Sequence, residues 1–142
     1  MKHLEPIHVD LARCRGELAA FKDLLDRHES GTLRENEHVL PFFRENRNFA
    51  ALIGYLRSDC FLIDRIAYEF DIFGDHAADL VVGDSNRQAY GFIEFEDAVP
   101  ESIFRKEAKK STLAWASRYE RGCSQIIDWF WKLDDLAKSL SQ

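Results

Sequence analysis

No two cysteines in this sequence are spaced as CxxC, no stretch approaches the ~20 apolar residues of a membrane span, and positive charge is in deficit. Each absence excludes a class of protein. Cys14, Cys60 and Cys123 leave one thiol over in any disulfide scheme, which points to a reducing compartment, and neither they nor the five histidines have the spacing of a zinc knuckle. Met1-Lys2-His3-Leu4-Glu5-Pro6 does not lead into a continuous apolar segment, so the expectation is a soluble, cytoplasmic protein with no membrane partner. Lysine and arginine number 19 against 25 acidic residues, a net charge of −6, so any contact with nucleic acid has to be local. Repeats, low-complexity tracts and linkers are missing too. What is present is core material: 46% hydrophobic and 13% aromatic residues in 142 positions suit a single folded domain over 1–142, with residues 1–30 as a helical extension and 31–142 as the core.

The spacing of Leu11, Leu18, Phe21, Leu24 and Leu25 predicts an amphipathic helix from Ile7 to about His28 with these residues on its buried stripe. Thr32 offers a cap with Glu35 three residues on, and Leu33, Val39, Leu40, Phe42 and Phe43 describe a second helix that Pro41 bends or interrupts. Phe49 to Leu56 reads as a short third helix. At Arg65 the period changes to two: Ile66, Tyr68, Phe70 and Ile72 alternate with other residues as in a strand with one shared face. Ala78–Val82 and Tyr90–Glu96 are expected as the second and third strands of an antiparallel meander. After Pro100 the expectation is helix, and Tyr119, Cys123, Ile126, Ile127, Phe130, Leu133, Ala137 and Leu140 trace the apolar face of a long helix from about Leu113. Of Trp129, Phe130 and Trp131, Phe130 is expected in the core and one tryptophan at an interface. The architecture is α+β: N-terminal helices, a strand meander over about 65–96, and a long C-terminal helix.

Candidate chemistry lies in the second hairpin. On the third strand Glu94 and Glu96 share a face, because side chains alternate with period two. A turn centred on Ser85–Gln88 pairs residues whose numbers sum to 173, which sets Asp79 opposite Glu94. Carboxylates so close repel one another unless a cation lies between them, and Mg²⁺ or Mn²⁺, which takes oxygen ligands from one or two carboxylates plus water and phosphate, suits an Asp and a Glu on paired strands. The same alternation also describes a solvated sheet face.

Taken in order, Glu37-His38-Val39-Leu40-Pro41-Phe42-Phe43-Arg44-Glu45-Asn46, Ala78-Asp79-Leu80-Val81-Val82, Phe92-Ile93-Glu94-Phe95-Glu96 and Gly122-Cys123-Ser124-Gln125-Ile126-Ile127-Asp128-Trp129 resemble the nuclease domain of the Shedu anti-phage defence family, within the PD-(D/E)XK superfamily, over about Arg34 to Leu136. The resemblance implies a restriction-endonuclease-like core and a metal-dependent DNA endonuclease. It further implies that Asp79 and Glu94 hold the metal, that Glu37 is an outer ligand, that the third motif position orients or activates the attacking water, and that Gln125 approaches from its helix. It also implies a homo-oligomer. Where the family pattern has lysine this chain has Glu96, which reverses the charge beside the scissile phosphate. Three outcomes follow: Glu96 recruits a second metal ion, a lysine such as Lys106, Lys109 or Lys110 reaches in from elsewhere, or the domain binds nucleic acid or a protein partner, or oligomerises, without cutting. Arg105, Lys106, Lys109, Lys110, Arg118 and Arg121 form the one basic concentration of the chain and the candidate nucleic-acid surface, although interleaved Glu101, Glu107 and Glu120 also permit ordinary intrahelical charge pairs.

Overall fold

The fold comes from a computed structural model describing residues 3–29, 31–107 and 112–139. Its elements run β1 (Glu5–Pro6), α1 (Leu11–Arg27), a single π-helical turn (Glu35–Val39), α2 (Leu40–Glu45), α3 (Arg47–Leu52), a 3₁₀ turn (Ile53–Leu56), β2 (Arg65–Ile72), β3 (His76–Asp84), β4 (Ala89–Ile93), β5 (Phe104–Lys106), β6 (Leu113–Trp115) and α4 (Ser117–Ser139). Strands β1 to β4 form one antiparallel sheet in sequential order, and β5 pairs with β6 in a separate hairpin.

Two cores sandwich the larger sheet. On one face Ile66, Leu80 and Val82 pack with Phe43 of α2 and Ala50 and Ala51 of α3. On the other, Ile72, Ala78 and Val81 surround Trp129 of α4, flanked on the same helix face by Ile126 three residues before it and Leu133 four after. Trp129 is wholly buried, so its truncation to alanine is expected to cost about 3–5 kcal/mol. Phe130 is 55% exposed and Trp131 79% exposed, which reverses the expectation for Phe130: the side of α4 that meets the sheet is set by Ile126, Trp129 and Leu133, and Phe130 lies beyond its edge.

Asp10 caps α1, its carboxylate accepting the N–H of Ala12 (2.8 Å) and Arg13 (3.3 Å). The stripe that α1 buries is rotated from the expected one. Cys14 and Leu24 are buried and Phe21 packs at a tilt against Phe42, Phe43 and Phe49, whereas Leu11, Leu18 and Leu25 are exposed. A polar residue decides the rotation: Glu17 accepts the backbone N–H of Phe49 at the start of α3 (2.6 Å) and the Asn48 amide (2.8 Å). The segment before β5 is likewise not helical. Phe104, Trp115 and Tyr119 stack in a row, with ring centroids 4.8 and 4.5 Å apart, and this ladder holds a hairpin where a helix was expected.

The strand meander forms as the alternation predicts, with one break. Ile66 and Tyr68 join the first core, but Phe70 and Ile72 join the second. Between them Glu69 has φ +48°, in the left-handed region that a non-glycine residue enters at a cost of about 1–3 kcal/mol. That turn of the backbone interrupts the two-residue period and hands β2 from one core to the other.

Candidate functional site

Strands β3 and β4 pair as Leu80–Ile93, Val81–Phe92, Val82–Gly91, Gly83–Tyr90 and Asp84–Ala89, each summing to 173. Backbone pairing stops at Ile93, one position before Asp79 and Glu94 would meet. There the Asp79 side chain takes over the ladder, its Oδ2 accepting the Phe95 N–H at 2.7 Å. Across the sheet, the β2 residue in register with Asp79 is Glu69, the strained position, which is ion-paired to Arg44 of α2 at 2.9 Å.

Asp79 and Glu94 lie close enough to act on one another, Glu94 lowering the Asp79 pKa and Asp79 raising that of Glu94. Burial, then the charges of Asp79, Glu35 and Glu96, pushes the Glu94 pKa up to about 8. Burial also raises the pKa of Asp79, against the pull of the Phe95 N–H. Glu94 Oε2 is buried and has no hydrogen-bond partner among the described residues. A pair of acids short of donors, one of them holding a proton near neutrality, is chemically poised to exchange that proton for a cation.

Two further acids close the cluster, and neither was foreseen as a site residue. Leu33 and Ala98 exchange backbone hydrogen bonds (3.1 and 2.8 Å), which brings the start of the π turn against the chain that follows β4. The Glu35 N–H donates to Asp97 Oδ1 at 2.7 Å, and the Glu35 side chain has its pKa raised by burial and by Asp79, Glu96 and Asp97. Glu37, expected as an outer ligand, instead pairs with Arg34 at 3.3 Å with 60% of its side chain exposed. Glu35 and Glu37, two residues apart, lie on opposite sides of the turn, Glu35 half-buried toward the cluster and Glu37 exposed.

Position 96 carries its own counter-ion. Arg118, in the first turn of α4, places Nη1 2.9 Å from Glu96 Oε2 and 3.0 Å from Asp97 Oδ2. Glu94, Glu96 and Arg118 line one cavity of about 210 Å³, with Ile103, Tyr119 and Cys123 among the residues of its wall. Gln125 is half-buried on α4 and is not among the described residues lining that cavity. Lys106 and Arg121 are exposed, Arg105 donates to the Trp115 carbonyl at 3.2 Å, and Lys109 and Lys110 lie outside the described residues.

Among the described residues no group of three or more His, Cys, Asp and Glu side chains is arranged to hold a metal ion. Asp79 and Glu94 nonetheless fit a hard divalent ion: both donors are oxygen, two carboxylates is a common protein share for Mg²⁺, and one buried oxygen is unpartnered. No described helix is long and apolar enough to cross a membrane.

The family model described as "Shedu protein SduA, C-terminal" matches residues 33–142. No curated protein and no solved structure matches.

Proposed function

The chain belongs to the Shedu SduA C-terminal family, an anti-phage defence family, and from that membership we propose that it is a metal-dependent DNA endonuclease built on a restriction-endonuclease-like, PD-(D/E)XK core. The observation that carries this reading is the Asp79–Glu94 pair, two half-buried carboxyls close enough to shift one another's pKa, with Glu94 Oε2 buried and unpartnered among the described residues. These two side chains would hold Mg²⁺ or Mn²⁺, with Glu35 as the outer acid in the place expected of Glu37. A bound divalent ion supplies Lewis acidity and a water of lowered pKa. The Phe95 N–H fixes Asp79, and Glu94, with its pKa raised to about 8, would have to lose its proton to serve as an ion ligand, which would couple ion binding to proton release near neutral pH. Glu96 serves the third motif position by fixing Arg118, and Gln125 supports the site from α4.

Calorimetric titration of the full chain with Mg²⁺ and Mn²⁺, followed by incubation with plasmid DNA, tests the reading. The expected result is saturable binding and cleavage by the wild type. Asp79→Ala abolishes both, lowering cleavage by at least ~10³-fold, while the far-ultraviolet circular dichroism is unchanged. Ion affinity that survives Asp79→Ala sinks the assignment.

A second reading rests on Glu96 itself. An acid in place of the motif lysine favours a module that binds nucleic acid without cutting it, and ion binding with no cleavage by the wild type under any divalent ion selects that reading. The exposed Ile127, Phe130 and Trp131 on α4 support self-association, which the mass of the chain in solution decides.

A further inference from the structure

The reversed charge at position 96 leaves open which group faces a phosphate at this site. Five carboxyls converge there, from Glu35, Asp79, Glu94, Glu96 and Asp97. An approaching phosphate diester adds another negative charge and needs a cation from the protein as well as any ion the acids hold. Arg44 is near enough to act on Asp79 but is ion-paired across the sheet to Glu69.

We infer that Arg118 supplies, from the first turn of α4, the positive charge that a lysine would bring from position 96, and that Glu96 and Asp97 are the positioning residues that hold its guanidinium beside the Asp79–Glu94 pair. This assignment rests on the nuclease reading above. Three observations carry it. Both acids bind the same nitrogen, Nη1, while Nη2 and Nε make no hydrogen bond among the described residues, so a two-pronged donor face remains for phosphate oxygens. Arg118, Glu94 and Glu96 line the same cavity, which puts the arginine and the acids around one space. Both ion pairs are about one-third exposed, and pairs of that kind contribute only ~0–1 kcal/mol, too little for fold stability to be what holds Arg118 there. The lysine and its charge have in effect been divided between two elements: the acid stays on the strand and the cation comes from the helix. An arginine in this role differs from lysine in keeping its charge at every working pH and in offering two parallel donors.

The test uses the full chain and four variants, Arg118→Gln, Arg118→Lys, the double variant Glu96→Lys with Arg118→Gln, and Arg13→Gln on α1 as a charge control. Plasmid cleavage with Mg²⁺ is read as kcat and KM, and Mn²⁺ affinity is measured by calorimetry on the same preparations. Arg118→Gln is expected to lower kcat at least about 100-fold, with KM changed less, while Mn²⁺ affinity stays equal or tightens because a cation has left an acidic site. Arg118→Lys should keep about a tenth or more of the wild-type rate, and the double variant should recover at least about tenfold over Arg118→Gln by returning the charge to the strand. Arg13→Gln should match the wild type. Wild-type kcat in Arg118→Gln, or a tenfold loss of Mn²⁺ affinity marking a structural part in the ion site, overturns the Arg118 assignment and leaves the nuclease reading intact. A wild type that neither binds Mn²⁺ nor cuts removes the nuclease reading and this assignment with it.

Discussion

Asp84 and Asp79 lie on the same strand, and their carboxylates are treated in opposite ways. Asp84 is 1% exposed and accepts four backbone N–H groups, from Phe61 (3.1 Å), Leu62 (2.9 Å), Asn86 (3.1 Å) and Arg87 (3.2 Å). Those donors, the Leu62 N–H foremost, lower its pKa. At the other end of β3, Asp79 receives one backbone donor and Glu94 Oε2 receives none, and both pKa values rise. The more deeply buried end is the one with its pKa lowered, so the supply of donors, not the depth of burial, sets the direction. A carboxylate wrapped in N–H groups is complete and fixes a loop, whereas a carboxylate pair left short is stable only with a proton or a cation from outside.

The largest expected effect lies at the complete end. Asp84→Ala strips four N–H groups of their acceptor, and its denaturation midpoint should fall further than that of any single substitution among Glu35, Glu37, Asp79 and Glu94, with Mn²⁺ affinity retained. Because the folded pKa of Asp84 lies below its ordinary 3.8, its contribution is present at neutral pH and is lost as pH falls through the folded value, which acid denaturation of wild type against Asp84→Ala reads directly.

The opposite sign holds at the other end. Between about 4.5 and about 8 the unfolded chain has released the Glu94 proton and the folded chain keeps it, so without divalent ions stability should fall as pH rises through that window. Glu94→Gln should flatten the slope and raise the melting temperature at pH 8, and saturating Mg²⁺ should flatten it in the wild type. A melting temperature that climbs from pH 5 to pH 8 in ion-free wild type breaks the contrast between the two ends.

A smaller effect separates the two glutamates of the π turn. Glu35→Gln should change Mn²⁺ affinity by up to about tenfold, as removal of an outer-shell acid does, whereas Glu37→Gln should leave ion affinity unaltered and stability within ~0.5 kcal/mol. Equal effects from both would mean that the π turn does not orient them as described.

How much of this was legible in the sequence varies with the range of the contacts involved. The register that ends at Leu80–Ile93, and so brings Asp79 and Glu94 side by side just beyond it, could be read from the sequence because a hairpin fixes its own pairing through a short turn. Glu35 could not, since the resemblance put the outer acid at Glu37 and only the Leu33–Ala98 pairing brings Glu35 to the site. The buried stripe of α1 was misplaced because exposed leucines at heptad spacing outweigh, by hydrophobicity alone, a glutamate that serves as the cap of another helix. The hairpin of β5 and β6 was read as helix because three-residue strands give too short an alternation to stand out.

By itself the sequence determined the α+β class, the antiparallel meander and the partnership of Asp79 with Glu94, all consequences of local period and turn chemistry. Only the tertiary structure decided that Glu35 and Asp97 join that pair and that Arg118 answers Glu96. Those residues reach the site through the Leu33–Ala98 bridge and the docking of Trp129 of α4 onto the sheet. Contacts of that kind depend on how separately formed elements pack, and no spacing along the chain records them.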